Sequence, residues 1–531
     1  MIRRTFGQLL LGVAGFAFVP RRGSASTRVA SPPGNPLEWR SGAVRHILPT
    51  VSDRKMLLKV SFEAPRDRTP VLRIDGREVV GVRTDTDGET WQFHASGLAS
   101  GTTHELQLFS GSGRSQPLCD PWPLRTFPSR SDEPDHARVL FYTCAGGHED
   151  FGFLPYATRR RLLRRALSFA PDAVVANGDH VYWDLETARP SARALRSGLD
   201  TAPDHAQPVA GTINETFIKR FAAPQVTQVY GTDFRSTPTF FIQDDHDYYE
   251  NDIADEGGAT FPPNPFMVEM ARETQRMLYP EFLPDEGRPA DLTGSTTGGV
   301  AQPVSESFGT LRYGRLLEAL LYTVRRTMTL TGPDAVFVEP AAEDWLVARM
   351  EADEVAHVVN VPSGPFGWTA GKWGEWYPDQ VGANGELSAT PPKPFWQSGW
   401  LKQHDRLLSA MARMTDRIPL TIGGDLHASA YGVISPPKAE SDAARPVHAV
   451  LCGTIGTGTG WPSRSRGVPP TPSGRIEMDE VVAPVEQHGF TIADFTPGSI
   501  RLRLFAWDRA RQTEDAIDTL KPLRDVKSAR S

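Results

Sequence analysis

Pro171-Asp172-Ala173-Val174-Val175-Ala176-Asn177-Gly178-Asp179-His180-Val181-Tyr182 is the stretch on which the fold turns. Ala173–Ala176 is a short, uninterrupted apolar run closed by Asn-Gly-Asp, as expected of a strand buried on both faces that ends in a sharp turn. Upstream, Leu162, Leu163, Ala166, Leu167 and Ala170 recur at helical spacing. Before them Val139–Tyr142 is another apolar strand, ending at Cys144-Ala145-Gly146-Gly147. Strand, helix, strand within about 40 residues is a βαβ unit. Further apolar strands are expected at Thr239–Gln243, His357–Val361, Ile418–Ile422 and Ala449–Cys452, with helices near Pro265–Leu278, Glu343–Met350 and Gln403–Met414. The class is α/β or α+β, without internal repeats.

Five of these six strands deliver residues that can bind metal. Cys144 follows the first, Asp179, His180 and Tyr182 the second, and Asp244-Asp245-His246-Asp247 the third; Asn360 lies near the end of the next, and Gly424-Asp425-Leu426-His427 follows the one after. Ligands of open α/β sheets bind at the carboxyl ends of the strands, so these residues are expected to converge on one edge. Carboxylates and imidazoles suit iron, manganese, zinc or cobalt. A phenol and a thiol beside them favour a strongly polarising ion such as ferric iron. Two metals bridged by a carboxylate, for which Asp179 is the candidate, would activate water for in-line displacement at phosphorus. His246 could protonate the leaving oxygen.

The chain has two flanking parts. Met1–Ser26 holds Arg3-Arg4-Thr5-Phe6, an apolar run Leu9–Val19 and the small residues Gly23–Ser26. That is the pattern of an export signal with twin arginines, too short to span a bilayer. From Leu37 to Pro128 short strands alternate with turns, and Asp75-Gly76 between Val71–Ile74 and Val79–Val82 reads as a hairpin. The expectation is a β-sandwich over 37–128, a linker over 129–137, a catalytic domain over 138–511 and a polar tail over 512–531.

Composition narrows the function. With 57 basic and 64 acidic residues the net charge is −7. Removal of the signal takes away four arginines and no acids, leaving −11. No general electrostatic attraction to nucleic acid or an anionic membrane follows from that. Three cysteines cannot staple 531 residues. Glycine and proline, 47 and 45 residues, favour a loop-rich protein over a helical bundle. Arg159, Arg160, Arg161, Arg164 and Arg165 read as the solvated face of an amphipathic helix.

With these motifs the chain resembles the PhoD-like phosphatases (alkaline phosphatase D type) of the metallophosphoesterase superfamily. The resemblance rests on the twin-arginine signal, the N-terminal β domain, Thr143-Cys144-Ala145, Gly178-Asp179-x-x-Tyr182, Asp244-Asp245-His246-Asp247 and Gly424-Asp425-Leu426-His427. It implies a four-layer αββα catalytic fold that hydrolyses phosphate esters at a centre of ferric iron with calcium or another divalent metal. Carried over by position, Cys144, Asp179, Tyr182, Asp245, Asp425 and His427 are metal ligands, His246 and Asp179 act in catalysis, and Asn360 is a metal or phosphate contact. Arg325, Arg326 and Lys372 are substrate-binding candidates. Three departures stand out. The family's Asp-Asp-His-Glu ends here in Asp247, Ala145 replaces a Gln, and Leu321-Tyr322-Thr323-Val324-Arg325-Arg326 lacks the acid of Leu-Asp-x-Arg.

Other residues have plainer readings. Cys119 and Cys452 are expected to be inert, His404 and His448 structural, and His180 and Asp184 peripheral. Trp368, Trp373, Trp376, Trp396 and Trp400 form either a lid or a loop packed down by its aromatics. The expected activity is an exported phosphoesterase acting on small, lipid or polymeric phosphate esters, with the twin-arginine translocase as a partner in export. A non-haem iron oxidoreductase and a non-catalytic envelope-binding protein are the alternatives.

Overall fold

The structure is a computed structural model describing residues 39–183, 203–248, 262–285, 287–295, 304–329, 334–369, 396–436, 443–457 and 470–530. The export signal, Asp184, Lys372, Trp373 and Trp376 lie outside the described residues. Eight strands come first: β1 (Val44–Val51), β2 (Lys55–Phe62), β3 (Val71–Ile74), β4 (Arg77–Val80), β5 (Val82–Arg83), β6 (Thr90–Ser96), β7 (Thr103–Phe109) and β8 (Trp122–Arg125). They form two four-stranded sheets, ordered β1-β2-β6-β5 and β4-β3-β7-β8. Asp75 and Gly76 join β3 to β4 with φ of 50° and 83°, the backbone a two-residue hairpin requires.

The next segment alternates strand and helix: β9 (Ala137–Tyr142), α1 (Tyr156–Leu167), β10 (Ala173–Asn177), α2 (Ile213–Phe217), α3 (Ala223–Tyr230), β11 (Thr239–Ile242) and α4 (Pro265–Leu278). Then follow β12 (Phe308–Tyr313), β13 (Leu317–Tyr322), α5 (Pro340–Glu351), β14 (His357–Pro362), α6 (Ser398–Ala412), β15 (Leu420–Gly423), β16 (Ser429–Ile434) and β17 (Val447–Cys452). The described chain closes with β18 (Met478–Val485), β19 (His488–Thr496), β20 (Ser499–Trp507) and β21 (Pro522–Ala529). The strands build a six-stranded sheet, β11-β10-β9-β19-β20-β21, and a seven-stranded sheet, β12-β13-β14-β15-β17-β16-β18. Pairing is parallel among β9, β10 and β11 and along β13, β14, β15 and β17.

Helices cover the outer face of each sheet. One core joins α1, α3 and α4 to the first sheet through Leu162, Leu163, Val226, Val229, Met270 and Met277. A second joins α5 and α6 to the other sheet through Trp345, Leu346, Leu407 and Met411. The sheets meet face to face: Asn177 Nδ2 donates to Pro362 O at 2.9 Å, and the His357 ring bonds Thr496 O at 2.7 Å. The architecture is the expected αββα stack. Burial on both faces explains why β10 and β14 read as continuous apolar runs.

Several features differ from the sequence reading. The stretch read as a polar tail contains β21, which pairs with β20; it looked unstructured because this edge strand is largely exposed and carries only Leu523 and Val526 as large apolar residues. The 129–137 segment is pinned, with Arg315 N donating to Asp132 O at 2.8 Å and Arg130 pairing with Asp285 at 2.7 Å. Arg159 is fully buried, and the other arginines of α1 are engaged: Arg160 and Arg164 with Asp233, Arg161 with Asp515 and Asp518, and Arg165 with Leu520 O. Trp368, Trp396 and Trp400 are buried in the core, as in the packed-loop reading.

The N-terminal sheets are bound to the rest by a buried ion pair. Lys59 Nζ, on β2, lies 2.8 Å from Glu281 and donates to Gln92 and to Arg276 O, both at 2.8 Å. Among the described residues no helix is long and apolar enough to cross a membrane.

Candidate metal centre

Strand ends from both large sheets deliver the expected residues to one place. Cys144 follows β9, Asp179 and Tyr182 follow β10, Asp244, Asp245 and His246 follow β11, and Asp425 and His427 follow β15. Thr143 holds the loops together: its hydroxyl donates to Asn177 O at 2.5 Å and accepts from Asp425 N at 3.2 Å. The fit is so tight that a Cβ on Gly424 would lie 2.4 Å from Asn177 O.

The backbone is strained where the chemistry sits. Cys144, Asp179 and Asp425 have φ of 52°, 57° and 64°, among only five non-glycine residues described with positive φ. Each such residue costs about 1–3 kcal/mol, so surrounding bonds must impose the conformation. Asp247 supplies much of that constraint. Its carboxylate accepts from the N–H groups of Asp179 (2.9 Å), His180 (2.8 Å), Val181 (3.0 Å) and Asp244 (2.9 Å). Gln225 of α3 accepts from Gly147 N at 2.7 Å and Tyr182 N at 2.9 Å, tying the cysteine loop to the tyrosine loop. Arg159 caps the carbonyls of Ala145, Gly146 and Gly147 at 2.9, 2.6 and 2.7 Å. None of these three supports was found from sequence. Asp247 could have been, since it sits within the acidic motif.

The candidate ligands converge. Donor atoms of Cys144, Asp179 and His427 lie within 4.8 Å of one another, as do those of Asp179, Asp245 and His246, with Asp179 common to both sets. Tyr182 OH donates to Asp179 Oδ2 at 2.7 Å, and Cys144 Sγ donates to the same oxygen at 3.2 Å. Asp179 Oδ1 is buried without a hydrogen-bond partner among the described residues. The His246 ring lies over Tyr182, centroids 4.0 Å apart, with Nε2 4.0 Å from Asp245 Oδ2. At 9% exposure His246 is the most accessible of these side chains.

Electrostatics also fit a cation. Asp179, Asp244, Asp245, Asp247 and Asp425 are all buried, and Arg325 is a permanent positive charge paired with Asp244, Asp245 and Asp425. Burial, helped by Asp245, holds the Asp179 carboxyl well above the usual carboxylate range. Burial raises Asp244 to about 7 against the pull of Arg325, and Asp247 to about 7 against its N–H donors. Burial, and then Asp179, also lifts the Cys144 thiol and the Tyr182 phenol well above their ordinary values. These groups keep their protons unless a cation replaces them. Thiol, phenol, carboxylate and imidazole donors around an unsatisfied carboxylate oxygen fit a metal ion.

The remaining candidates lie elsewhere or are otherwise engaged. Asn360 accepts from Tyr322 OH and donates to Thr421 Oγ1, both at 3.1 Å, in place of a contact with the cluster. Arg326 pairs with Glu306. Arg325, expected as a phosphate contact, is fully buried among Asp244, Asp245 and Asp425. His180 Nε2 donates to Ile242 O at 2.9 Å, His404 accepts from Gly367 N at 3.2 Å, and His448 bonds Tyr431 OH at 2.7 Å. Cys119 and Cys452 are buried and free.

No protein-family model matches the sequence, and no curated protein sequence matches it. Solved structures do. The structure of PhoD superposes with a TM-score of 0.55 at 12% identity, covering 92% of this chain and 88% of that one. The purple acid phosphatase PPD1 from yellow lupin (Lupinus luteus) seeds superposes with a TM-score of 0.53 at 11% identity, covering 92% and 74%. With sequence identity so low, the likeness speaks for architecture: the chain shares the fold of these two solved structures.

Proposed function

We propose that the protein is an exported, metal-dependent phosphoesterase that hydrolyses phosphate monoesters, diesters or both. The observation that carries this reading is the convergence of Cys144, Asp179, Tyr182 and His427 on one buried position, with Asp245 and His246 beside it. The fold shared with PhoD and purple acid phosphatase supports it. Export is supported by the twin-arginine pattern of residues 1–26.

In this reading Cys144, Asp179, Tyr182 and His427 hold the ion, with ferric iron best matched to a thiol and a phenol. A bound ion of that kind would supply Lewis acidity and a lowered pKa for water. The protein does the rest. Asp179 gathers the protons of Cys144 and Tyr182 on one oxygen, so uptake of the ion must release protons. Asp247 keeps the Asp179 turn left-handed, and the burial of the ligands excludes bulk water. His246, the accessible imidazole, is placed to hand its proton to the departing ester oxygen.

The test is hydrolysis of mono- and bis-aryl phosphates by natively exported protein, with metal content and visible spectrum recorded in parallel. Asp179→Asn and His427→Ala are expected to lose both metal and turnover. Unchanged metal content and hydrolysis in both variants would overturn the assignment. A colourless, iron-free yet active enzyme would overturn ferric iron as the metal.

A further inference from the structure

Beside the Cys144–Asp179–His427 group lies a second set of converging carboxylates, Asp244, Asp245 and Asp425, whose oxygens are also within 4.8 Å of one another. In a two-metal centre this is where a second ion would be sought. Here a guanidinium sits among them. Arg325 Nε is 2.7 Å from Asp244 Oδ1, and its Nη2 is 3.3 Å from Asp425 Oδ1 and 3.7 Å from Asp245 Oδ1. The side chain is fully buried, and it reaches the cluster from the turn three residues past the end of β13.

We propose that Arg325 is the permanent occupant of the Asp244–Asp245–Asp425 position and, by pairing with Asp245, also takes that carboxylate from the Asp179–Asp245–His246 group, so that the centre takes one metal ion and not two. The proposal rests on the metal-dependent reading above. Guanidinium is charged at any accessible pH, so it cannot vacate the position by losing a proton. Its Nε and Nη2 hydrogen-bond Asp244 at 2.7 and 3.4 Å, and Nη2 forms ion pairs with Asp425 and Asp245. The surrounding sequence is consistent with this use. Tyr322 stands where the family motif has an acid, and its hydroxyl engages Asn360, which Thr421 engages from the other side.

The chain builds the same arrangement elsewhere. Lys219 Nζ lies 2.8, 2.6 and 3.0 Å from Asp85, Asp87 and Glu215, a trio whose oxygens would otherwise pass for a metal site. In both places one fixed cation answers three carboxylates. An organic cation supplies charge and hydrogen-bond donors but no Lewis acidity. Activation of water would then fall to the single ion at Asp179.

The experiment counts metals. Full-length mature protein is freed of metal, incubated with excess Mn²⁺ or Fe³⁺, desalted, and analysed by elemental mass spectrometry; the Mn²⁺ form is also examined by electron paramagnetic resonance. The wild type is expected to hold one ion per chain with no exchange-coupled Mn²⁺ pair. Arg325→Met is expected to rise to two ions per chain and to show the coupled signal. Two ions in the wild type would overturn the inference and leave the phosphoesterase reading standing. No ion in either protein would overturn both. One ion in a folded Arg325→Met would show that the guanidinium is not what excludes the second. If Arg325→Met does not fold, the wild-type count and its Mn²⁺ spectrum decide the matter.

Discussion

The acidic cluster at Lys219 and the acidic cluster at Asp179 differ in how each is neutralised. At Lys219, one ammonium contacts every carboxylate, and Asp87 and part of the surroundings face water. Glu215 there is pulled down to about 2, because N–H and hydroxyl donors of Thr86, the Gly211 N–H and Lys219 outweigh the cost of burial. At Asp179, five aspartates are buried close to Arg325, and burial pushes the carboxyls of Asp179, Asp244 and Asp247 upward. Convergence of acids is common to both regions. What separates a structural ion cluster from a metal centre is burial with too few permanent cations, together with strained backbone at the acids themselves.

The largest effect should come from the open side of the centre. His246→Ala is expected to lower kcat by about 10²–10⁴-fold, the usual range for loss of a general acid. Metal content should be unchanged. If metal is lost as well, His246 belongs to the ligands and the distinction drawn here between holding the ion and moving the proton fails. Steady-state kinetics and elemental analysis on the same sample check it.

Breaking a structural ion pair should do the reverse, costing stability and sparing chemistry. Lys59→Ala leaves Glu281 buried without its ammonium, which is expected to cost about 3–5 kcal/mol in urea unfolding. Turnover per folded molecule should stay at the wild-type level. A large fall in kcat would mean that the N-terminal sheets act on the centre directly.

Asp247→Asn is an intermediate case. The amide keeps one carbonyl acceptor where the carboxylate serves four N–H donors. Metal affinity is expected to fall by about 10–100-fold, as when a supporting contact of a ligand is lost. The fold should survive, and activity should recover at raised metal concentration. Failure to recover at saturating metal would give Asp247 a role beyond positioning.

Much of this was readable from residues alone, for a physical reason. Buried parallel strands must be apolar on both faces, so β9, β10 and β11 announce themselves, and the polar residues that follow them mark the functional edge. Contacts made through long side chains were not readable. Arg325 and Arg326 are adjacent, yet one enters the carboxylate cluster and the other pairs with Glu306; nothing in local periodicity separates them. Arg159 looked solvated because its helix carries four further arginines, but only this one points at the carbonyls of the cysteine loop. Strands β12, β19 and β20 were missed although β12–β13 and β19–β20 are local hairpins; only the pairing of β19 with β9 lies far along the chain, where the assembled sheet alone reveals it.

The smallest effect is the one that contrasts the two clusters by sign. Glu215 has a folded-state value of about 2 against an ordinary 4.5. Its contribution to stability is complete above pH 4.5 and is lost as pH falls from 4.5 towards 2. Asp244 and Asp247, raised to about 7 from 3.8, act the other way in metal-free protein: they favour the protonated folded state, so stability is lost as pH rises from about 4 to 7. Metal-free protein should therefore be stabilised by mild acidification from pH 7, and metal-loaded protein should not. Glu215→Gln is expected to remove about 1–2 kcal/mol near neutral pH and to flatten the decline below pH 4.5, leaving the slope between pH 4 and 7 intact. Thermal unfolding across pH, with and without metal, measures both slopes. If Glu215→Gln altered the upper slope, the two clusters would be coupled, and the contrast between a cation-filled cluster and a metal-seeking one would not hold.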